Sequence, residues 1–313
     1  MPTENIATEL LLEAHGLARR YGPRVAVHDV HVTVRRGEVL GLLGLNGAGK
    51  STILRMLSGV IAPHAGTIKI AGHNLSQAPL AAKRHLGYLP EIPPLYPEAT
   101  VDEYLDLCAA LHGVLQSRRA AAVARAKERC GLTSVGGRLI RNLSKGFQQR
   151  VGIAQAIVHE PAVLILDEPT VGLDPAQIHD MRALIQSLCD ERAILLSTHL
   201  LSEAESVCSR VAVLHQGRIV YDAPLAARAQ RLVVSFQRPP PLTELTALAG
   251  VLDANALTPQ RFALQVDNVQ VVAELVAARA VHANWGLHEL TLGGSALEQI
   301  FLTLTRDHAE VAA

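Results

Sequence analysis

Residues 41–52 read GLLGLNGAGKST, and the reading of this stretch decides the fold. Gly44, Gly49, Lys50 and Ser51 stand in the spacing G-x-x-x-x-G-K-[ST], a loop whose backbone N–H groups cradle phosphates. Such a loop needs a strand before it and a helix after it, and its flanks supply both. Val39 to Leu43 is almost continuously apolar, as a parallel strand buried on both faces should be. STILRMLSGV, from Ser51 onward, reads as a helix. A helix starting there points unpaired N–H groups and the positive end of its dipole at bound anions. The candidate nucleotide-binding residues are therefore Asn46, Gly47, Ala48, Gly49, Lys50, Ser51 and Thr52, with Lys50 reaching the β- and γ-phosphates and the Ser51 hydroxyl ligating Mg²⁺.

Composition narrows what the nucleotide is for. The chain has 313 residues, 49% of them hydrophobic, enough for a large domain and a smaller one. Lys plus Arg and Asp plus Glu both count 29, so the formal charge is zero and nucleic acid is not an expected partner. No run approaches the 18 or so apolar residues of a membrane span, and the opening MPTENIATELLLEAHG has no basic n-region of a signal peptide. Cys108, Cys130, Cys189 and Cys208 form no C-x-x-C pair and read as small apolar residues. The expectation is a cytoplasmic protein that meets a membrane only through a partner.

Further along, Val30, Val32 and Val34 alternate with polar residues, as in a half-exposed antiparallel strand. From about residue 96 to 160 the pattern turns helical, with a capping box at Thr100 and Glu103. RRAAAVARAKERC reads as a solvated helix rather than a nucleic-acid patch. AVLILDE is a second buried strand ending in two carboxylates, Asp167 and Glu168. Asp174 and Pro175 then supply an N-cap and a first-position proline for a helix to about Cys189. AILLSTH is a third buried strand, and VAVLHQGRIVYD a hairpin turning at Gln216-Gly217. After about Asp222 three consecutive prolines mark a boundary region. Beyond it the pattern is strand (Leu232–Phe236), helix (Thr243–Leu248), strand (Val251–Leu257), strand (Arg261–Val266), helix (Val269–Arg279), strand (Trp285–Leu292). This β-α-β-β-α-β order is that of a small ferredoxin-like unit. A last helix, SALEQIFLTLTR, carries Leu297, Ile300, Phe301 and Leu304 on one face.

Six stretches in fixed order carry a family resemblance: Tyr21, the phosphate loop, GYLPE (87–91), LSKGFQQR (143–150), LILDEPTVGLDP (164–175) and STH (197–199). Together they resemble the nucleotide-binding subunit of ABC transporters over roughly residues 10 to 222. The resemblance implies a P-loop α/β fold with a mixed-sheet core, an antiparallel β subdomain and a helical subdomain at about 96–160. The expected domains are 1–225 for this ATPase and 226–313 for an α+β accessory unit. Asp167, at the C-terminal end of a buried strand, sits where open α/β sheets place their ligand crevice, and is the natural partner for the Mg²⁺ that Ser51 holds. Glu168 is positioned to take a proton from the attacking water. The resemblance puts His199 near the γ-phosphate and Tyr21 under the adenine, and counts Asp174 with the nucleotide-binding residues.

Ser144 and Gly146 precede the helix FQQRVGIAQAIVH and form a second helix start suited to an anion. The chain's own phosphates already have a cradle at 44–51. In the family two subunits pack head to tail around two ATP molecules, each held by one phosphate loop and the other subunit's signature segment. The expected partners are therefore a second ATPase subunit, in a homodimer, and an integral membrane permease.

Two segments depart from the family pattern. Lys145 and Phe147 replace a glycine and the glutamine of the common LSGGQ signature, with Lys145 either adding charge near the γ-phosphate or facing solvent. Glu91 stands where most members carry a glutamine that senses Mg²⁺ and water; a carboxylate there can touch the metal but adds negative charge beside the phosphates. GYLPEIPPLYPEATVDEYL resembles the ATPases serving ABC-2-type permeases, which implies export, with the permease's coupling helix received around residues 91–104. The C-terminal unit reads either as extra dimer contact or as a regulatory module. A soluble ABC ATPase working on ribosomes or DNA would need basic surfaces and usually has a second cassette or a long inserted coiled coil, and a small-molecule kinase would have no use for LSKGFQQR.

Overall fold

A computed structural model describes residues 9–225 and 230–293. The chain divides into two compact units, Met1–Pro224 and Leu225–Ala313.

The first unit opens with the long strands β1 (Leu10–Tyr21) and β2 (Arg24–Arg35), paired antiparallel through the Gly22-Pro23 turn, so that Tyr21 lies opposite Arg24. With β4 (Ala65–Ile70) and β5 (His73–Asn74) they form a four-stranded antiparallel sheet in the order β2-β1-β4-β5. The alternation expected from Val30, Val32 and Val34 holds, all three being buried. β1 was not evident in the sequence. Its pairing shifts register at several points and Gly16 takes a positive φ of 63°, so no clean period of two survives.

The central sheet contains β3 (Val39–Leu43), β6 (Leu86–Leu89), β7 (Val163–Asp167), β8 (Ala193–Thr198), β9 (Arg210–His215) and β10 (Arg218–Pro224). Its order is β10-β9-β3-β8-β7-β6, with every neighbour parallel except the β9–β10 hairpin. That hairpin turns where expected: Gln216 and Gly217 both have positive φ, as a two-residue primed turn requires. Strands β3, β7 and β8 are buried along their whole length. Their side chains still alternate between two cores. Leu164, Leu166, Ile194 and Leu196 join the helical side, while Val163, Ile165 and Leu195 join the side shared with the antiparallel sheet.

α1 (Lys50–Leu57) follows β3 directly and buries Ile53, Leu54, Met56 and Leu57 in that second core. Fully burying each such side chain stabilises the fold by about 1.5–3 kcal/mol. α2 (Pro79–Arg84) precedes β6. The helical part comprises α3 (Val101–Leu111), α4 (Gln116–Arg129) and α5 (Lys145–Ile157). Thr100 and Glu103 form the expected capping box at the start of α3, with each side chain accepting the other's backbone N–H at 3.3 and 2.8 Å. α4 is mostly solvated but buries Ala122, Val123 and Ala126. α6 (Pro175–Ser187) begins at the Asp174 cap, whose carboxylate accepts the Gln177 N–H at 2.9 Å, and α7 (Leu201–Val207) lies between β8 and β9. Among the described residues no helix is long and apolar enough to cross a membrane.

The second unit contains β11 (Gln230–Phe236), α8 (Leu242–Thr246), β12 (Val251–Thr258), β13 (Arg261–Val266), α9 (Val269–His282) and β14 (Leu287–Gly293). The sheet is antiparallel in the order β12-β13-β11-β14, the ferredoxin-like arrangement the element order suggested. Phe236 anchors its core, with Trp285 edge-on at 5.4 Å and Phe262 at 6.0 Å between ring centroids. The strand expected from Trp285 starts two residues later, because Trp285 is drawn into this core behind Gly286, which has a positive φ of 68°. The helix expected at SALEQIFLTLTR lies outside the described residues.

Candidate functional site

The site is a cleft of about 580 Å³ at the C-terminal ends of the parallel strands, lined on its floor by the loop between β3 and α1. Gly49 is the reason that loop can exist. Its φ is +111°, and a Cβ there would stand 2.6 Å from the Ala26 carbonyl oxygen. No side chain caps α1, so the first-turn N–H groups are left to meet an anion. The Lys50 ammonium, 6% exposed, donates to the Gly44 carbonyl at 2.7 Å and stands 3.5 Å from Glu168 Oε1.

Glu168 reaches the cleft through an unusual backbone. It leaves β7 with a φ of +50°, the left-handed region, which costs a residue with a Cβ roughly 1–2 kcal/mol. A tie to the neighbouring strand holds it there. The Glu168 N–H donates to Ser197 Oγ at 3.0 Å, and the Ser197 hydroxyl donates to Asp167 Oδ1 at 2.6 Å. The parallel register makes this possible, because Asp167 of β7 pairs with Ser197 of β8. The Glu168 carboxylate is thus suspended between Lys50 on one oxygen and His199 on the other, whose Nδ1 lies 2.8 Å from Oε2.

The electrostatics favour a cation. Burial raises the Asp167 carboxyl above its ordinary range; Glu168 and Glu91 push the same way, against hydrogen bonds from Ser197 and Ser51. Burial, with the Asp167 charge behind it, likewise pushes the Tyr88 phenol up to about 12. Three carboxylates therefore converge with Lys50 on this end of the sheet. Among the described residues no three His, Cys, Asp or Glu side chains could hold a metal by themselves. A divalent ion fits here only with phosphate oxygens and the Ser51 hydroxyl completing its shell, as Mg²⁺ is usually held beside a nucleotide.

Of the residues expected from sequence, the cleft brings together Tyr21, Asn46, Gly47, Gly49, Lys50, Ser51, Thr52, Glu91, Glu168 and His199. Asp167 lies under them, bonded to Ser197. Ala48 does not face the cleft; it is 5% exposed and packs into the core beneath the loop. Tyr21 keeps an exposed ring, 45% accessible, with the Arg19 guanidinium 5.3 Å from its centroid. Arg24, Ala26, Leu45 and Val171 also line the cleft. Leu45 and Val171 come with the phosphate loop and with LILDEPTVGLDP, whereas Arg24 and Ala26 lie in no motif; Arg24 is carried there by the β1–β2 pairing that puts it across from Tyr21.

Ser144, Gly146 and Asp174 are elsewhere, at the adjoining starts of α5 and α6. Ser144 is the cap, accepting the Phe147 N–H at 3.4 Å, and Gly146 falls inside the first turn of α5 rather than before it. A side chain at Gly146 would stand 2.8 Å from Gln177 Oε1, so glycine lets the two helix starts pack closely. Of the two alternatives for Lys145 the structure shows the solvent-facing one: the residue is exposed and outside the cleft lining, with its ammonium resting against Gly172, in the loop between Glu168 and Asp174.

Comparison with known proteins agrees with this geometry. A family model described as ABC transporter matches residues 27–171. The bacitracin transport ATP-binding protein of Bacillus licheniformis is 38% identical over 231 residues, covering 72% of this chain and 74% of that one. A Nod factor export ATP-binding protein I of Paraburkholderia xenovorans is 34% identical over 302 residues, covering 95% of this chain and 97% of its own. A solved structure of an ATP-binding subunit of an ABC transporter superposes with a TM-score of 0.63 at 36% identity, covering 69% of this chain and 90% of that one.

Proposed function

This chain belongs to the family of ABC transporter ATP-binding proteins, and from that premise we propose that it drives a separately encoded ABC-2-type permease in export, as a head-to-tail dimer. As a family member it binds and hydrolyses ATP as the energy-supplying subunit of a transporter. The export reading is supported by the Nod factor export relative, whose match runs through the C-terminal unit as well as the ATPase.

The observation that carries the mechanism is the Glu168 carboxylate held between Lys50 and His199 in the lining of the cleft. In the proposed reaction adenine stacks on Tyr21, and the phosphates lie on the loop N–H groups and Lys50. Glu168 takes the proton of the attacking water, which a carboxylate fixed by two partners can do without reorganising. His199 keeps that carboxylate aimed at the γ-phosphate. Ser51 and Asp167, with Glu91 beside them, would hold Mg²⁺, which neutralises phosphate charge when bound.

The placement of Ser144, Gly146 and Asp174 outside the chain's own cleft supports their use on the nucleotide of a second copy. ATP then joins two subunits, and its hydrolysis lets them part, a motion the permease converts into transport. The protein would work on the cytoplasmic face of the membrane, bound there through the permease. Capture of tagged Glu168→Gln protein from native membranes, in ATP and then in ADP, tests this reading. Co-purification of a multi-span membrane protein supports it. Recovery of ribosomes or soluble proteins alone, in both nucleotides, would move the assignment to a soluble ABC ATPase.

A further inference from the structure

One buried carboxylate near the site has no place in the mechanism above. Glu203, on α7, is 1% exposed, and none of the ion pairs described in this unit reaches it. Two hydroxyls hold it instead. Thr170 Oγ1 donates to one carboxylate oxygen at 2.6 Å, and Thr198 Oγ1 makes a short hydrogen bond to the other. Both threonines are themselves buried, at 4% and 0% exposed. Thr198 in turn accepts the Leu200 N–H at 3.0 Å. Taking a carboxylate out of water is costly unless its lone pairs are met, so this arrangement is held together by geometry and not by a counter-charge.

The positions of the two threonines matter more than their chemistry. Thr170 lies two residues beyond Glu168, in the turn that leaves β7. Thr198 is the last residue of β8, next to His199. Glu203 therefore bridges the two turns that carry Glu168 and His199 without itself lining the cleft. The Glu168 backbone is strained, and strain at a site persists only where its surroundings over-determine it. Ser197 ties the start of that turn to β8, and Glu203 ties its next residues to the same strand end.

We infer that Glu203 is a positioning residue for ATP hydrolysis, which holds the turns after β7 and β8 together so that the Glu168–His199 contact keeps its length. The inference rests on the roles proposed above for Glu168 and His199. Glu203 is buried and does not line the cleft, so its loss slows turnover without loosening ATP. The hydroxyls act through their hydrogen bonds, so serine is a better replacement than the closer-shaped valine.

The test measures steady-state kcat and KM for ATP in the full chain for Glu203→Gln, Thr170→Val, Thr170→Ser, His199→Ala and the double variant Glu203→Gln/His199→Ala. The expected result is a kcat at least fivefold lower for Glu203→Gln and Thr170→Val, with KM within twofold of wild type. Thr170→Ser should turn over at least threefold faster than Thr170→Val. Glu203→Gln should add less than a twofold further loss to His199→Ala, because both act on one contact. The inference is overturned if Glu203→Gln and Thr170→Val keep wild-type kcat, if valine is tolerated better than serine, or if the Glu203 and His199 losses multiply. A His199→Ala variant with wild-type kcat removes the reading of the site and this inference with it. An impaired His199→Ala beside an unimpaired Glu203→Gln removes this inference alone.

Discussion

His199 Nδ1 lies 2.8 Å from Glu168 Oε2, while the other carboxylate oxygen faces Lys50 at 3.5 Å. In the proposed roles the histidine acts on Glu168 as the base, and its removal should leave the phosphate cradle intact. His199→Ala is expected to lower kcat by about 100-fold, the lower end of the range for a group assisting proton transfer. Its ATP affinity, measured by fluorescent-nucleotide displacement, should stay within threefold of wild type. A loss of affinity in proportion to the loss of rate would mean that His199 binds nucleotide and does not orient Glu168.

Glu91 lines the cleft and adds to the rise of the Asp167 carboxyl. Replacing it by glutamine removes one of three converging negative charges and keeps the side chain's length. Glu91→Gln is expected to raise turnover a few-fold, by relieving repulsion of the phosphates, and to reach half-maximal rate at a higher Mg²⁺ concentration, because one charge that attracts the cation is gone. Titrating Mg²⁺ at saturating ATP for both proteins checks this; superimposable curves would show that the Glu91 charge has no bearing on the metal.

Gly49 has a φ of +111° and would place a Cβ 2.6 Å from the Ala26 carbonyl oxygen. Gly49→Ala therefore shifts the backbone of the phosphate loop itself. The strain should cost about 1–3 kcal/mol of stability, and ATP affinity should fall at least tenfold. Urea unfolding and equilibrium binding measure the two effects separately.

His159 predicts a pH effect far from the cleft. Its ring stacks on His112 with centroids 3.7 Å apart, Nε2 meets the Leu86 carbonyl at 3.0 Å, and Nδ1 is buried with no partner. Burial, and then the neighbouring His112, push its pKa down to about 4, against the hydrogen bond to Leu86. A base whose folded pKa is depressed binds its proton more readily when unfolded. Its contribution to stability is complete above about pH 6.5 and is lost as pH falls towards 4, by about 1–3 kcal/mol. Urea midpoints at pH 7.5, 6.0 and 4.5 should therefore fall more steeply for wild type than for His159→Gln. Parallel falls would show that His159 is not the group responsible.

Much of this architecture was legible because its signals are local. The phosphate loop is contiguous, and the strands ending at Asp167 and Thr198 are uninterrupted apolar runs. In the C-terminal unit, short runs bounded by turn residues gave the element order, from which the sheet order follows. β1 was hidden by its own bulges. Other features arise only between strands. Ser197 ties down Glu168 because the parallel register sets it beside Asp167. Glu203 looks in sequence like any solvated helix glutamate; its partners lie 33 and 5 residues away, and it is buried by the packing of α7 against β8 and by its bond to the turn after β7.

The most direct test of the central claim, that Glu168 activates water for hydrolysis of an ATP shared by two subunits, combines phosphate release with sizing of the same protein. Glu168→Gln keeps the shape of the side chain and removes its basicity. It is expected to hydrolyse ATP about 10²–10⁴-fold more slowly than wild type, and to elute as a dimer in Mg-ATP and as a monomer in ADP. A Glu168→Gln protein that releases phosphate at the wild-type rate would contradict the claim, and so would one that binds ATP yet remains a monomer.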